Sequence, residues 1–123
     1  MTTAVSPGQE PDSWHLDWIA YAGGTDVGPR ARVRLSRAEE SVEAEGTGTG
    51  LIDAACHAVS QACGVGGRVM AFRAYSVGPG SEALGEVELD VEVGRRRVVV
   101  RASSTDVVEA CARAFLSAVT GSH

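Results

Sequence analysis

The feature that most constrains the fold is an internal repeat with a spacing of 56 residues. Thr49 falls on Thr105 at this spacing, and the match runs to the end of both units without a gap. The same shift continues upstream, where it sets Gly24 on Gly80. It predicts a tandem duplication, with one unit from about Leu16 to Gly64 and the other from about Phe72 to Thr120. The coinciding residues include Leu51-Ile52 with Val107-Val108, Asp53 with Glu109, Ala54 with Ala110, Ala58 with Ala114 and Ala62 with Ala118.

Alternating apolar and polar residues predict paired strands in each unit. In the stretches 30–35 and 40–45 every second residue is apolar or small, which is typical of strands with one buried face. A two-residue turn at Ala38-Glu39 pairs Leu35 with Val42 and Val33 with Ala44 in the core, and Arg34 with Glu43 and Arg32 with Glu45 outside. A turn at Gly94-Arg95 likewise pairs Val91 with Val98 and Leu89 with Val100 inside, and Glu92 with Arg97 and Glu88 with Arg101 outside. We interpret these exposed charge pairs as aids to register and solubility.

A helix of small residues follows the strands of each unit. Thr49 is the predicted N-cap of the first helix and Gly64 its end, while the second helix follows Ser104-Thr105-Asp106. With a first strand over residues 14–22, the order is β-β-β-α repeated twice. The predicted fold is an α+β domain of antiparallel strands with two helices packed on one face. A single helix layer leaves an apolar surface that a homodimer would cover.

The composition indicates one globular domain. A chain of 123 residues with 44% hydrophobic content can build a single core, so the two units must pack together. A net charge of −5 with scattered arginines argues against nucleic acid as a partner. Three cysteines without a CxxC pair argue against a disulfide framework.

Neither a membrane contact nor an export signal is predicted. The longest apolar runs are too short to span a bilayer, and the first residues lack the basic and apolar regions of a signal peptide. We therefore predict a cytoplasmic protein. Residues 1–13 are rich in proline and polar residues and are predicted to be a disordered lead, so the domain would occupy residues 14–120.

The glycine-rich stretch before the first helix is a candidate carboxylate site. Gly48 and Gly50 would let a ligand approach the backbone, and the start of a helix presents N–H groups without intrahelical partners. Free N–H groups after these two glycines would bind a carboxylate, and Ile52 would supply an apolar wall. Asp53 would place a charge near the pocket floor. The alternative interpretation is a tight turn with no ligand.

Three stretches together resemble the C-terminal regulatory (allosteric or dimerisation) domain of 2-isopropylmalate synthase (LeuA) and of related citramalate and homocitrate synthases. They are residues 45–54, residues 80–87, and residues 103–110 with 112–116. The resemblance covers nearly the whole chain from about Trp14 and implies a homodimer that binds a small amino acid or organic acid near the dimer interface. The sequence contains no TIM barrel, and so no metal or acetyl-CoA site. The resemblance therefore implies a stand-alone regulator, without a cofactor, of a separately encoded acyl-transferring synthase.

The resemblance also implies which residues contact the effector. Carried over position by position, the site would use Gly48, Gly50 and Ile52 at the helix start, and Val69, Phe72, Ser76 and Ala83 from the strand and turn that follow. Thr49 and Asp53 complete the predicted ligand-binding set. The chain departs from the family pattern at Leu51, where a proline is usual, and at Ala102, where a glycine is often found.

Other chemistry has weaker support in the sequence. Cys56 and Cys63 lie seven residues apart on a helix, and His57 points about 100° away from Cys56, so no metal site is predicted. A small isomerase, lyase or cyclase that reuses the effector pocket would depend on Asp53, His15, Asp17 or Tyr75, but no nucleophile and base stand at a recognisable spacing, and no catalytic residue is assigned. A pure dimerisation subunit is a third hypothesis. Trp14 and Trp18 are interpreted as packing or dimer contacts.

Overall fold

The computed structural model describes residues 13–23, 25–77 and 84–121 and confirms the predicted α+β fold with a β-β-β-α repeat. The predicted Gly24/Gly80 match lies outside the described residues. The first repeat consists of β1 (His15–Ala22), β2 (Arg30–Arg37), β3 (Glu40–Thr47) and α1 (Leu51–Cys63). The second consists of β4 (Arg68–Val77), β5 (Leu84–Val93), β6 (Arg96–Ser104) and α2 (Val107–Thr120).

The strands form two antiparallel sheets, one in each repeat. Their orders are β1-β2-β3 and β4-β5-β6, so every neighbour in a sheet is also a neighbour in sequence. The predicted hairpin registers are correct: Leu35 lies opposite Val42 and Leu89 opposite Val100. The sequence predicted both hairpins because the apolar faces and the two-residue turns agree on one register.

The exposed charged residues lie in the predicted register, but some of them form ion pairs with partners other than the predicted ones. Glu88 and Arg101 pair directly across the strands, as predicted. Arg32 instead pairs diagonally with Glu43, and Arg34 pairs with Asp17 on β1. Arg97 likewise pairs diagonally with Asp90. Long side chains on a twisted sheet reach diagonal neighbours as easily as direct ones, so register alone does not fix the ion pairs.

Each helix packs against the sheet of its own repeat, and the two helices pack against each other. Phe115, Leu35 and Leu89 are among the largest side chains of the resulting core. Each helix is followed by a left-handed glycine, Gly64 after α1 and Gly121 after α2. Neither helix has the length and apolar character needed to cross a membrane in the part of the chain that the structure describes.

The prediction that Thr49 caps α1 is wrong. The N-cap is Gly50, which has no side chain to accept a hydrogen bond. The backbone N–H of Thr49 instead donates to Asp53 Oδ2 over 3.0 Å, so the carboxylate three positions into the helix reaches back to the preceding turn. In α2 the equivalent cap is Asp106, whose Oδ1 accepts from the backbone N–H groups of Val108 and Glu109.

The gap-free repeat is also wrong for the first strands. A shift of 56 relates β2 to β5, β3 to β6 and α1 to α2. On β1, however, Leu16 lies opposite Leu35. The counterpart of Leu35 in the second repeat is Val91, and the residue opposite Val91 is Val69. The bulge after Leu16 recurs after Val69, so β1 matches β4 at a shift of 53 and the second repeat begins before Phe72. The connections between the first two strands differ in length, and the apolar pattern of β1 and β4 is too sparse to reveal this.

Candidate functional site

A pocket lies between the start of α1 and β4 in the described part of the molecule. We call it the α1 pocket. It has a volume of about 560 Å³, within the range of small-molecule sites. One wall is formed by the first turns of α1 and another by β4 and the residues before it, while Phe115 of α2 closes the floor. Its lining residues are Thr49, Gly50, Ile52, Asp53, Cys56, His57, Ser60, Gly67, Arg68, Val69, Phe72 and Phe115.

The pocket brings together most of the predicted ligand-binding residues. Six of the nine line it, from both of the segments that the sequence singled out: Thr49, Gly50, Ile52, Asp53, Val69 and Phe72. Ser76 lies further along β4, where its backbone pairs with Gly85. Ala83 lies outside the described residues. Which of the nine contact a ligand remains a prediction.

Gly48 has a structural role beside the pocket. A Cβ atom at this position would lie 2.2 Å from Asp53 Oδ2 and 2.9 Å from the backbone nitrogen of Ala54. Only glycine therefore lets the turn lie against the helix start. The Gly48 N–H is directed at the carbonyl of Pro29, at 3.4 Å.

The free N–H groups at the start of α1 are fewer than the sequence suggested. The N–H after Gly48, that of Thr49, is taken by Asp53. The N–H of Ala54 is taken by the carbonyl of Gly50, the first bond within the helix. Within the part of the chain that the structure describes, no side chain caps the N–H groups of the first turn, which begins directly after Gly50. This turn offers the hydrogen-bond donors and the positive end of the helix dipole to the pocket.

Sequence reasoning missed several lining residues, although a signal for some of them was present. Cys56, His57 and Ser60 lie three, four and seven positions after Asp53 and so share its helix face. Gly67 lies before β4 and is close-packed: a Cβ there would lie 2.8 Å from Val119 Cγ1. Helical periodicity could have found the first three residues, whereas Gly67 depends on the packing of the other repeat.

The pocket carries charges of both signs. Asp53 is the anionic side chain, and Arg68 is a cation that forms no ion pair with any residue in the described ranges. His57 is turned toward its own repeat: its Nδ1 lies 3.0 Å from the Thr47 carbonyl and its Nε2 lies 3.2 Å from Gln61 Nε2. The site can therefore offer a cationic partner to a carboxylate and an anionic partner to a cationic group, at different points on its wall.

Cys56 contributes a neutral thiol to the pocket wall. Burial raises the pKa of this thiol to about 12, with smaller contributions from Cys111 and Asp53. A thiol that stays protonated is a poor nucleophile and a poor metal ligand. Cys56 thus acts as a small apolar wall residue at neutral pH.

Three of the four acid–base residues considered for catalysis lie apart from the pocket. Asp17 accepts a hydrogen bond from Ser36 Oγ over 2.8 Å and pairs with Arg34 on the sheet of the first repeat. Tyr75 donates to Glu86 over 2.7 Å on the sheet of the second repeat. His15 is exposed on β1. Of the four candidates, Asp53 is the one that lines the pocket.

The two tryptophans differ in environment. Trp14 is buried, and the guanidinium of Arg37 stacks on its ring at 4.3 Å from the centroid. Trp18 is partly exposed on β1. The first is therefore a packing residue, and the second is available for a contact between subunits.

Comparison with known proteins agrees with the fold and the motifs. The LeuA allosteric (dimerisation) domain model matches residues 3–122. The 2-isopropylmalate synthase of Heliobacterium modesticaldum is 34% identical over 109 residues, which is 89% of this chain and 21% of the relative. That of Pelotomaculum thermopropionicum is 36% identical over 110 residues, covering 89% and 22%, and that of Sediminispirochaeta smaragdinae is 39% identical over 97 residues, covering 78% and 19%.

The chain thus spans about a fifth of the length of these relatives. The match extends over both β-β-β-α repeats and over the start of α1, where the candidate site lies. Repeat order, glycine-rich turn and family model all agree. The chain belongs to the LeuA allosteric (dimerisation) domain family.

Proposed function

We propose that this domain is a homodimeric regulator that binds a small amino acid or organic acid in the α1 pocket. Its occupancy controls an acyl-transferring synthase of the 2-isopropylmalate synthase type, whose catalytic domain we expect on a separate chain. The observation that carries the proposal is the pocket itself, in which an uncapped helix start faces apolar side chains of β4. The mechanism is a population shift, in which the ligand favours one packing of the dimer.

The polar half of the proposed site recognises a carboxylate. The second repeat supplies an internal template, because the carboxylate of Asp106 accepts from the N–H groups of Val108 and Glu109 at 2.8 and 3.2 Å. At the repeat spacing these positions are Gly50, Ile52 and Asp53. We infer that a ligand carboxylate takes the place of the side chain that Gly50 lacks, with Arg68 as a nearby cation.

The apolar half of the proposed site comes from β4. Val69 is half-buried, and Phe72, on the core face of the sheet, is still 41% exposed. A small aliphatic side chain packed on these residues would remove apolar surface from water at about 25 cal/mol per Å². A ligand with a carboxylate at one end and a short aliphatic group at the other therefore fits both halves.

Exposed apolar residues on β4 also support a homodimer. Met70, Phe72 and Tyr75 are each 40–45% exposed on one edge strand. Edge strands with uncovered apolar side chains are usually covered by a partner. A second copy of the chain, as the family name indicates, would bury this edge next to the α1 pocket.

The test is a binding measurement with a matched pair of variants. A panel of leucine, isoleucine, valine, lysine, their keto acids and related malates is screened by thermal shift and calorimetry. A ligand at one hundred times its dissociation constant adds about 2.7 kcal/mol of stability. Gly50→Asp should abolish binding, because its carboxylate occupies the helix start. Gly50→Ala should retain binding, since a Cβ at this position meets nothing within 4 Å.

Three outcomes would contradict the proposal. Equal binding by Gly50→Asp and the wild-type protein would exclude the helix start as the carboxylate site. A dimer by size-exclusion chromatography with no response to any panel member would favour the pure dimerisation subunit. Turnover of a panel acid that is lost in Asp53→Asn would favour the enzyme hypothesis.

A further inference from the structure

The α1 pocket has a closed counterpart in the same molecule. The pocket separates α1 from β4, and the equivalent elements in the other half are α2 and β1. These two pack directly: Leu16 of β1 is only 5% exposed, and its carbonyl is approached by Arg113 Nη1 at 3.4 Å. β4, in contrast, makes extensive backbone contact with β5 alone among the described elements.

Two polar contacts join β1 to α2. The phenol of Tyr21 donates to Asp106 Oδ2 over 2.8 Å, and Arg113, the donor to the Leu16 carbonyl, also pairs with Glu109 at 3.4 Å. The first contact holds the far end of β1 at the helix start. The second holds its near end one to two turns further along the helix. Together they fix β1 along the first half of α2.

The equivalent positions around the pocket lack these side chains. At the shift of 53 that relates the first strands, Tyr21 corresponds to Ala74. At the shift of 56 that relates the helices, Asp106 corresponds to Gly50 and Arg113 to His57. His57 is engaged with Thr47 and Gln61 of its own repeat and not with β4. The pocket thus lies on the side of the molecule where the helix and the strand lack both contacts.

We propose that β4 is a movable wall of the α1 pocket, which closes on α1 as β1 closes on α2. The open arrangement in the structure is one of two states. The closed state buries Val69 and Phe72 against α1 in the way that Leu16 is buried against α2. The inference concerns the same pocket as the proposed function, but it does not require a ligand, so the two can fail separately.

The experiment transfers the Tyr21–Asp106 contact to the open side of the ligand-free, 123-residue chain. The double variant Ala74→Tyr with Gly50→Asp should form a phenol–carboxylate hydrogen bond and close β4. Hydrogen–deuterium exchange of the β4 amides should then slow several-fold relative to the wild-type protein, with no change in β3. The matched control, Ala74→Phe with Gly50→Asp, has the same ring without the donor and should exchange like Gly50→Asp alone.

A spectroscopic titration checks that the contact has formed. The hydrogen bond to Asp106 raises the pKa of Tyr21 above its ordinary value, and the phenol introduced by Ala74→Tyr should show the same direction of shift only when Gly50→Asp is also present. Slower exchange with this shift supports closure. A raised pKa of the introduced phenol without slower exchange of the β4 amides would overturn the proposal, because the contact would then form without closing β4 on α1.

The reciprocal variant tests the closed side. Tyr21→Phe should release β1 from α2 and speed exchange of the β1 amides several-fold, whereas Tyr75→Phe removes a phenol–carboxylate bond of similar length within one sheet and should leave β1 unchanged. Unchanged exchange in β1 after both Tyr21→Phe and Arg113→Gln would overturn the inference. It would show that these contacts are not the reason why β1 is closed on α2 while β4 is open from α1.

Discussion

The starts of α1 and α2 show how two copies of one unit can keep a fold and divide its tasks. Asp106 accepts from two backbone N–H groups and from the phenol of Tyr21, so its own side chain occupies this helix start. Gly50 leaves the equivalent start open to a pocket. Glycine is only a few tenths of a kcal/mol worse than aspartate as an N-cap, so the fold loses little by the exchange. What changes is access: the same position stabilises one repeat and exposes the backbone of the other.

The helices also differ in how closely they approach their sheets. Gly46 of β3 is buried beneath α1, and its counterpart on β6 is Ala102. A Cβ on Gly46 would lie 2.3 Å from the backbone nitrogen of Ala58 and 2.6 Å from the carbonyl oxygen of Ala54. The close contact of α1 with β3 therefore depends on a single missing methyl group.

The largest expected effect comes from Gly46→Ala. Because the obstructing atoms are backbone atoms, α1 as a whole must shift, and we expect a loss of about 3 kcal/mol in the free energy of unfolding. Urea denaturation measures it. The matched variant Ala102→Gly removes a methyl group at the equivalent position and should lower stability by only about 1 kcal/mol. Equal effects of the two variants would show that both helices lie at the same distance from the sheets of their own repeats.

The pH dependence of stability tests what the two repeats share. Cys56 of α1 and Cys111 of α2 are both buried, and burial raises the pKa of each thiol from 9.0 to about 12. Both thiols are almost entirely neutral below about pH 8 in the folded and unfolded states, so stability is unaffected there. Above pH 9 the unfolded chain ionises first, and stability falls as the pH rises toward 12.

The expected size is about 1.4 kcal/mol for each thiol at pH 10, compared with pH 8. Chemical denaturation at several pH values measures this slope. Cys56→Ala or Cys111→Ala should each remove about half of the slope, whereas Cys63→Ala, which keeps both buried thiols, should leave it unchanged. A slope that survives the double variant would assign the alkaline loss to other groups.

How much the sequence could predict depends on how locally each feature is determined. The hairpin registers followed from apolar alternation and from turns of fixed length, and residues such as Leu35 and Val42 could be paired without a structure. The pocket face of α1 was partly visible, because helical spacing sets Cys56 and His57 beside Asp53. These features depend on residues close together in sequence.

The remaining features depend on long-range packing. β1 matches β4 at a shift of 53 residues, whereas the other elements match at a shift of 56. This difference could not be predicted, because the equivalence of Leu16 and Val69 is visible only through their partners on β2 and β5. The capping of Thr49 N–H by Asp53 depends on the approach that Gly48 permits. The difference between the occupied start of α2 and the open start of α1 depends in part on the hydrogen bond from Tyr21 to Asp106. These two residues are 85 positions apart in the sequence.

The two hairpin turns allow a finer test of how far the repeats are equivalent. Ala38 and Gly94 are equivalent residues, and both have positive φ angles, 48° and 62°. This region is unfavourable for alanine by roughly 1–2 kcal/mol, offset in part by the larger entropy that glycine loses on folding. Ala38→Gly should therefore stabilise the protein by about 1 kcal/mol, and Gly94→Ala should destabilise it by a similar amount. If the two turns are equivalent, the double exchange should leave the free energy of unfolding unchanged in urea denaturation. A net change would mean that one turn has contacts of its own, and that the division between the repeats extends beyond the α1 pocket.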